Sequence, residues 1–430
     1  MLCKKAGHLN TVQYINIKLI NYYFMNSFIK FFPVGNADCS LIKLSNGMTI
    51  IVDCQINPAF DDEGNQVCYD VKSDLSDMLA KDDEGRQYVD LFINTHPHKD
   101  HCLGFGDNFY CGSLDDYDAE KDKDKIVIGE LWITNRGIGN DIDSSAEDIR
   151  REAKRRRKLY DDDSNYKGEY SNYLRIVGYD DQKEYDSRYG YVPGTLVKAV
   201  NGKDLDYLEI FIHAPFKEDV NTAKGDGNKN MTSIVAQYRF KAKKDGDIVT
   251  RILLGGDAEH PVWKHIIDNN KDDDTINWNL FEAPHHCSWT FFNYSSKKDE
   301  VQPTSIDILE KQLGKDAYIV TSSEEIKDDD DENPLPSYRA KTEYKAHLKT
   351  KGNFLNTATD KTIDGIPQPI VFNIDSNGLH KQTESTIKEK ANAVANAMKC
   401  GKLGISGVGL LSTLSSKAIA SSGGFYGEDA

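Results

Sequence analysis

The chain has 430 residues, 39% hydrophobic and 28% charged, which excludes a disordered, collagen-like or repeat-built polypeptide and allows a sizeable core. Its formal net charge of -16 sets the average surface against nucleic-acid phosphates and anionic lipid, so strong binding of long duplexes is not expected. The eight cysteines form neither a CxxC pair nor a regular framework, no apolar run is long enough to span a bilayer, and the N-terminal stretch is a poor secretion signal; the cytoplasm is the expected location.

Residues 1–24 carry no core pattern and are expected to be a dispensable extension ahead of Met25. Two strand-like runs follow, 28–32 and 39–44, and the Asn46-Gly47 turn signal leads into a third, 48–53, ending on Asp53. The polar stretch 70–81 predicts a helix, and YVDLFIN (88–94) a buried strand. That strand runs into THPHKDH (95–101), three histidines and an aspartate in seven positions of a chain with eleven histidines. Pro97 disfavours the α conformation at His96, so the cluster begins extended, with His96 and His98 on one side and Asp100 and His101 on the following turn. Residues 104–205 read as insertions around one strand (126–134). Their basic run, RREAKRRRK (150–158), lies between Glu147, Asp148 and Asp161 to Asp163 and predicts a solvated helix face neutralised by its neighbours. Strands are predicted again at 207–213, 233–240 and 250–256, then a helix at 259–270, strands at 277–283 and 317–322, a helix around 337–350 and a last strand at 369–374. Beyond about 385 the composition turns to Ala, Gly and Ser; residues 385–430 predict a helix and a small-residue tail able to engage a protein partner or self-associate.

The polar signals share one position, since each follows a predicted strand: His96 to His101 after 88–94, Asp257 after 250–256, and His285-His286 after 277–283. Strand ends present side chains to a common rim, so residues far apart in sequence can converge there. Imidazole together with carboxylate suits Zn²⁺ foremost, and also Mn²⁺ or Fe²⁺. Asp257 taken alone would be an ordinary turn residue after Gly-Gly. His260 and His265, on a charged helix, are expected to be structural or solvent-exposed.

Asp53, THPHKDH, GGDAEH and APHHCS, in that order, resemble the metallo-β-lactamase fold superfamily with its HxHxDH motif and downstream Asp and His. VGNADCSLI…IIVDC, NMTS and HHCS are similar to the VGQGD, N-x-x-S and HHGS segments of the branch that holds the ComEC-like competence-protein hydrolase domain and the phosphorylcholine esterase of choline-binding proteins. The likeness covers roughly 28–375. It implies an α/β fold, a four-layer αββα sandwich, with the hydrolase domain at 25–384. It also implies His96 and His98 on one metal ion, Asp100 and His101 on a second, Asp257 bridging both, and His285 completing the second. Asp53 would orient ligands from beneath. Where many members supply a third histidine to the first metal, this chain has Asn230 and Ser233, which implies a weaker first site and leaves His213 as a further candidate ligand. Cys287 stands where the likeness expects Gly, and with Cys102 flanks the ligands. Buried thiols are the plainer reading, and Cys287 as a soft additional ligand the sharper one. Asp100 and His286 are the expected catalytic residues, His286 facing substrate as a hydrogen-bond donor or general acid for the leaving group.

Two divalent ions close together lower the pKa of a shared water from 15.7 toward about 7 and clamp the oxygens of a reacting centre. The expectation is therefore a binuclear metal-dependent hydrolase, a phosphodiesterase or nuclease acting on a nucleotide, small diester or single-stranded nucleic acid. Thioester, lactone or lactam hydrolysis at the same site is the alternative enzyme. A non-catalytic metal-binding protein that engages a partner is the alternative of a different class.

Overall fold

The short apolar runs of the first half pair largely in the order in which they occur. The computed structural model describes residues 26–139, 143–178, 186–219, 228–270, 272–295, 300–328 and 335–383; the expectations for 1–24 and 385–430 lie outside the described residues. Strands β1 (Ser27–Phe31), β2 (Ser40–Lys43) and β3 (Thr49–Val52) form an antiparallel meander, with Gly47 at φ 91° in the tight turn before β3. Then β4 (Gln87–Ile93), β5 (Val127–Thr134) and β6 (Tyr173–Val177) add in parallel beyond β3. A second sheet repeats the plan. Its strands β7 (Leu208–Ala214), β8 (Val235–Lys241) and β9 (Ile248–Leu254) are antiparallel, whereas β10 (Leu280–Glu282), β11 (Tyr318–Thr321) and β12 (Phe354–Asn356) follow in parallel. The chain returns to the first sheet as β13 (Ile370–Asp375), antiparallel to β1.

Parallel neighbours need crossover connections, and most of these carry a helix. These are α1 (Val71–Met78) before β4, α2 (Glu147–Asp162) before β6, α3 (His260–Asn269) before β10, α4 (Pro303–Glu310) before β11 and α5 (Tyr338–His347) before β12. The strand period of two then sorts the apolar side chains. Ile50, Leu91 and Trp132 of the first sheet share one buried cluster with Ile210, Tyr238 and Ile252 of the second. Their sequence neighbours Ile51, Phe92 and Leu131 join Leu75 of α1 and Ile149 and Tyr160 of α2 in another. Leu253, Phe281 and Ile319 join Trp263, Ile308 and Tyr344, from α3, α4 and α5, in a third. The fold is thus mixed α/β with several sheets.

The stretch read as insertions is more deeply built in than its sequence predicts. β5 is buried along its whole length, β6 extends the same sheet, and α2 packs into the second cluster. Nor is the basic run of α2 wholly a solvated face. Arg150, Arg151 and Lys158 do pair with Glu147, Asp148 and Asp162 along the helix. Arg156, however, is fully buried, donating to Glu152 at 2.6 Å and to the carbonyls of Ile128 and Tyr173 at 2.9 and 2.8 Å. The guanidinium is affordable inside because Glu152, one turn earlier, is buried with it. No helix among the described residues is long and apolar enough to cross a membrane.

Candidate metal centre

Asp53, His96 to His101, Asp257, His285-His286 and Ser322 follow β3, β4, β9, β10 and β11 in turn. Asp53 sits at φ 56°, a left-handed conformation that a short polar side chain tolerates, and its N–H donates to the Ile93 carbonyl at 2.8 Å. This folds its carboxylate beneath the histidine loop. Oδ1 accepts from Thr95 N at 2.7 Å and Asn94 Nδ2 at 3.2 Å, and Oδ2 from Thr95 Oγ1 at 2.5 Å and His101 Nδ1 at 2.8 Å. With four donors, Asp53 fixes the orientation of the loop and aims His101 Nε2 away from itself.

Asp257 is where the loops meet. Its Oδ2 lies 3.6 Å from His96 Nε2, which is 3.0 Å from His98 Nδ1. Its Oδ1 lies 3.1 Å from His101 Nε2 and 3.5 Å from His286 Nε2, and the latter is 3.2 Å from Asp100 Oδ2. Tetrahedral bonds of about 2.0–2.1 Å put neighbouring ligand atoms about 3.3 Å apart, so these edges suit a divalent cation. Both oxygens of Asp257 and His101 Nε2 are buried without an aligned hydrogen-bond partner. Orphaned polar atoms at the focus of four imidazoles are what a cation would satisfy. Gly256, at φ 49°, lets the turn close over Thr95, because a Cβ there would stand 2.7 Å from Thr95 Oγ1.

Burial and the carboxylates divide the histidines. Burial holds His96 well below the ordinary imidazole range, His101 adding to it, and burial also lowers His98, with a smaller push from the nearby charge of Lys229. For His101 burial acts downward too, yet Asp257 and Asp53 carry it well above 6.5; His286 is likewise raised, to about 9, by Asp257 and Asp38 against its burial. Asp257 stays ionised despite burial because His101, His286 and His285 surround it. Without a cation, protons on His101 and His286 neutralise the buried carboxylates. Glu282, below the rim, is pushed well above the carboxylate range by burial and by Asp38 and Asp53.

The structure groups several of these residues differently from the sequence expectation. His286, expected to face substrate, joins Asp38, His101 and Asp257 in one group of candidate ligands, and His96, His98 and Asp257 form the other. His285, expected to complete the second site, stands instead on the side of His96 and His98, with Nε2 3.7 Å from Asp257 Oδ2 and 3.4 Å from Asn230 Nδ2, and Nδ1 3.1 Å from Thr290 Oγ1. The cause is local. His285, His286 and Cys287 all have positive φ (51°, 52° and 66°), and this tight left-handed turn swings the second histidine inward. His213 is not in either group. It is buried at a β-bulge, its Nε2 donates to the Thr275 carbonyl at 2.7 Å, and burial lowers it to about 4. Cys287 turns to the Ser337 carbonyl, and burial raises its pKa; Cys102 donates to the His98 carbonyl at 2.7 Å, its thiol pushed up to about 12 by burial. Both are buried thiols. Asn230 also donates to Glu259 at 3.3 Å, while Ser233 Oγ is buried with no partner among the described residues. His265 pairs with the buried Asp219.

Asp38 was missed, although it is the aspartate of VGNAD. Its N–H donates to the Asp100 carbonyl at 3.2 Å, and burial raises its carboxyl to about 6. It faces the Nδ1 atoms of His101 and His286, both at 3.7 Å. Those nitrogens are already engaged by Asp53 and by the Ser322 carbonyl at 3.0 Å. Asp38 therefore backs the two rings, and Asp100 is the carboxylate on their Nε2 side. No protein-family model matches the chain, and no curated protein matches it.

Proposed function

We propose that the chain is a binuclear metal-dependent hydrolase of the metallo-β-lactamase fold superfamily, acting on a phosphodiester. The observation that carries this is Asp257, a buried carboxylate with two orphaned oxygens, one toward His96 and His98 and the other toward His101 and His286. The three apolar clusters, which alternate helices, sheet, sheet and helices, support the four-layer arrangement that this superfamily implies.

Two divalent ions, Zn²⁺ foremost, would supply Lewis-acid polarisation of the reacting centre and a lowered pKa for the attacking water. His96, His98 and Asp257 Oδ2 would hold one ion, and Asp257 Oδ1, His101, His286 and Asp100 the other. Asp53 and the Ser322 carbonyl lock the rings of His101 and His286, so the Nε2 atoms are presented without reorganisation. Asp100, with 32% of its side chain exposed, is the carboxylate of the set that meets solvent and can orient the nucleophile. His285 takes the part expected of His286. Its side chain is 20% exposed, and its Nε2 can donate the proton that a poor leaving group needs.

The test is metal analysis of the purified protein with a panel of phosphodiester, thioester and lactone substrates. Up to two divalent ions per chain and metal-dependent phosphodiester cleavage are expected, both lost in Asp257→Asn. Cleavage of thioesters or lactones with phosphodiesters untouched would replace this reading by the other hydrolase.

A further inference from the structure

Carboxyl groups line the site. Asp38, Asp257 and Glu259 are buried there, Glu282 is buried beneath them, and Asp100 is half-buried. A phosphodiester carries a negative charge that a fixed cation at this edge would hold, whereas a neutral lactone or thioester offers no such charge. One lysine stands out. Lys229 opens the 3₁₀ turn Lys229–Thr232, half-buried between two asparagines that brace the site. Asn228 Nδ2 donates to Glu259 at 3.0 Å, and Asn230 reaches both Glu259 and His285. Two residues after the turn, Ile234 N–H donates to the Thr95 carbonyl at 3.1 Å, so the segment is tied to the histidine loop at its far end as well. The turn sets Lys229 directly before Asn230, whose Nδ2 lies 3.4 Å from His285 Nε2, so the lysine stands at the edge of the site. Lys30, Lys241 and Lys311 have carboxylate partners at 2.7 Å; Lys229 has no ion pair among the described residues. A half-buried lysine with no ion pair among the described residues, held at the edge of the site by a braced turn, suits a substrate anion.

We infer that Lys229 anchors the negative charge of the substrate, pairing with a non-bridging phosphate oxygen, so that the site selects anionic phosphodiesters over neutral esters. This rests on the hydrolase reading above and assigns its substrate class to one side chain. Lys229 is a specificity residue. It lies outside both ligand groups, so replacing it should leave metal content unchanged.

The experiment uses the full chain loaded with Zn²⁺ or Mn²⁺, as wild type, Lys229→Met and Lys229→Arg. Turnover of bis(p-nitrophenyl) phosphate and of the neutral p-nitrophenyl acetate is followed together with calorimetric binding of inorganic phosphate. Lys229→Met should raise KM for the diester, and weaken phosphate binding, by about tenfold. Its kcat, its metal content and its rate on the neutral ester should stay within about twofold of wild type, and Lys229→Arg should recover most of the loss. Unchanged KM and phosphate affinity, or an equal loss on the neutral ester, would overturn the inference. So would metal-loaded wild type that binds no phosphate. Phosphate binding that depends on Lys229 in a protein that cleaves no diester would leave the anchor standing and remove the proposed reaction.

Discussion

His286 has both ring nitrogens committed, Nδ1 to the Ser322 carbonyl and Nε2 toward Asp100 and Asp257, whereas His285 keeps an edge in solvent. Removing the two should therefore have different consequences. His286→Ala should empty the cation group at His101, as metal analysis would register. His285→Ala should retain metal and lose roughly 10²–10⁴ in kcat, the usual worth of a positioned acid. That loss should shrink on substrates with good leaving groups, which depart without a proton. The opposite pattern, metal lost from His285→Ala and kept in His286→Ala, would restore the assignment implied by the sequence resemblance.

Helix α2 shows what holds an element to its sheet. Its inner face carries Ile149, Ala153 and Tyr160, and between them Arg156 spans to the Ile128 and Tyr173 carbonyls with Glu152 as its only carboxylate at hydrogen-bond distance among the described residues. Glu152 also holds the half-buried Arg155, at 2.7 Å. Truncating one member of such a pair leaves the other charge buried and uncompensated, so Glu152→Ala should cost roughly 3–5 kcal/mol in denaturant unfolding. Replacing both Glu152 and Arg156 by Met should cost less than Glu152→Ala alone, because no ion is then stranded from that pair. A double variant less stable than the single one would show that the guanidinium contacts to β5 and β6 matter more than the charge balance.

At the scale of the molecule, acid should be the weak point, and His213 gives a measurable part of it. Its folded pKa is lowered to about 4 by burial, against an ordinary 6.5, so it stays neutral in the fold while the unfolded chain protonates. Stability from this group is complete above pH 6.5 and is lost as pH falls from there toward 4, by about 3 kcal/mol in all. His213→Gln keeps a donor for the Thr275 carbonyl and removes the titration. The difference in unfolding free energy between pH 7 and pH 5 should thus be smaller in the variant than in wild type. Equal pH slopes would mean that His213 is not protonated on unfolding in this window.

Local pattern was enough to find most of the elements. β4, β5, β7 and β9 lie within about two residues of the runs that predict them, because a period of two and the flanking turn residues are properties of adjacent side chains. The strand expected at 277–283 shortens to Leu280–Glu282, since only that part lies between β9 and β11. The same holds for the site: HxHxDH, the aspartate after Gly-Gly and the paired histidines are legible in one dimension, each at a strand end. Which histidine of the pair turns inward is not. His285 and His286 are neighbours of one chemical type, and the choice is made by a left-handed turn that follows β10. Asp38 was hidden for a related reason, since its partners are residues 100, 101 and 286, brought together by loops from two sheets. Arg156 looked like its basic neighbours because the sequence says what a helix face carries, while only packing decides which face meets the sheet. Sequence specified the periodicities and the inventory of candidate ligands; the tertiary structure decided register, inward-facing nitrogens and buried charge, all of which depend on distances between residues that the chain itself keeps far apart.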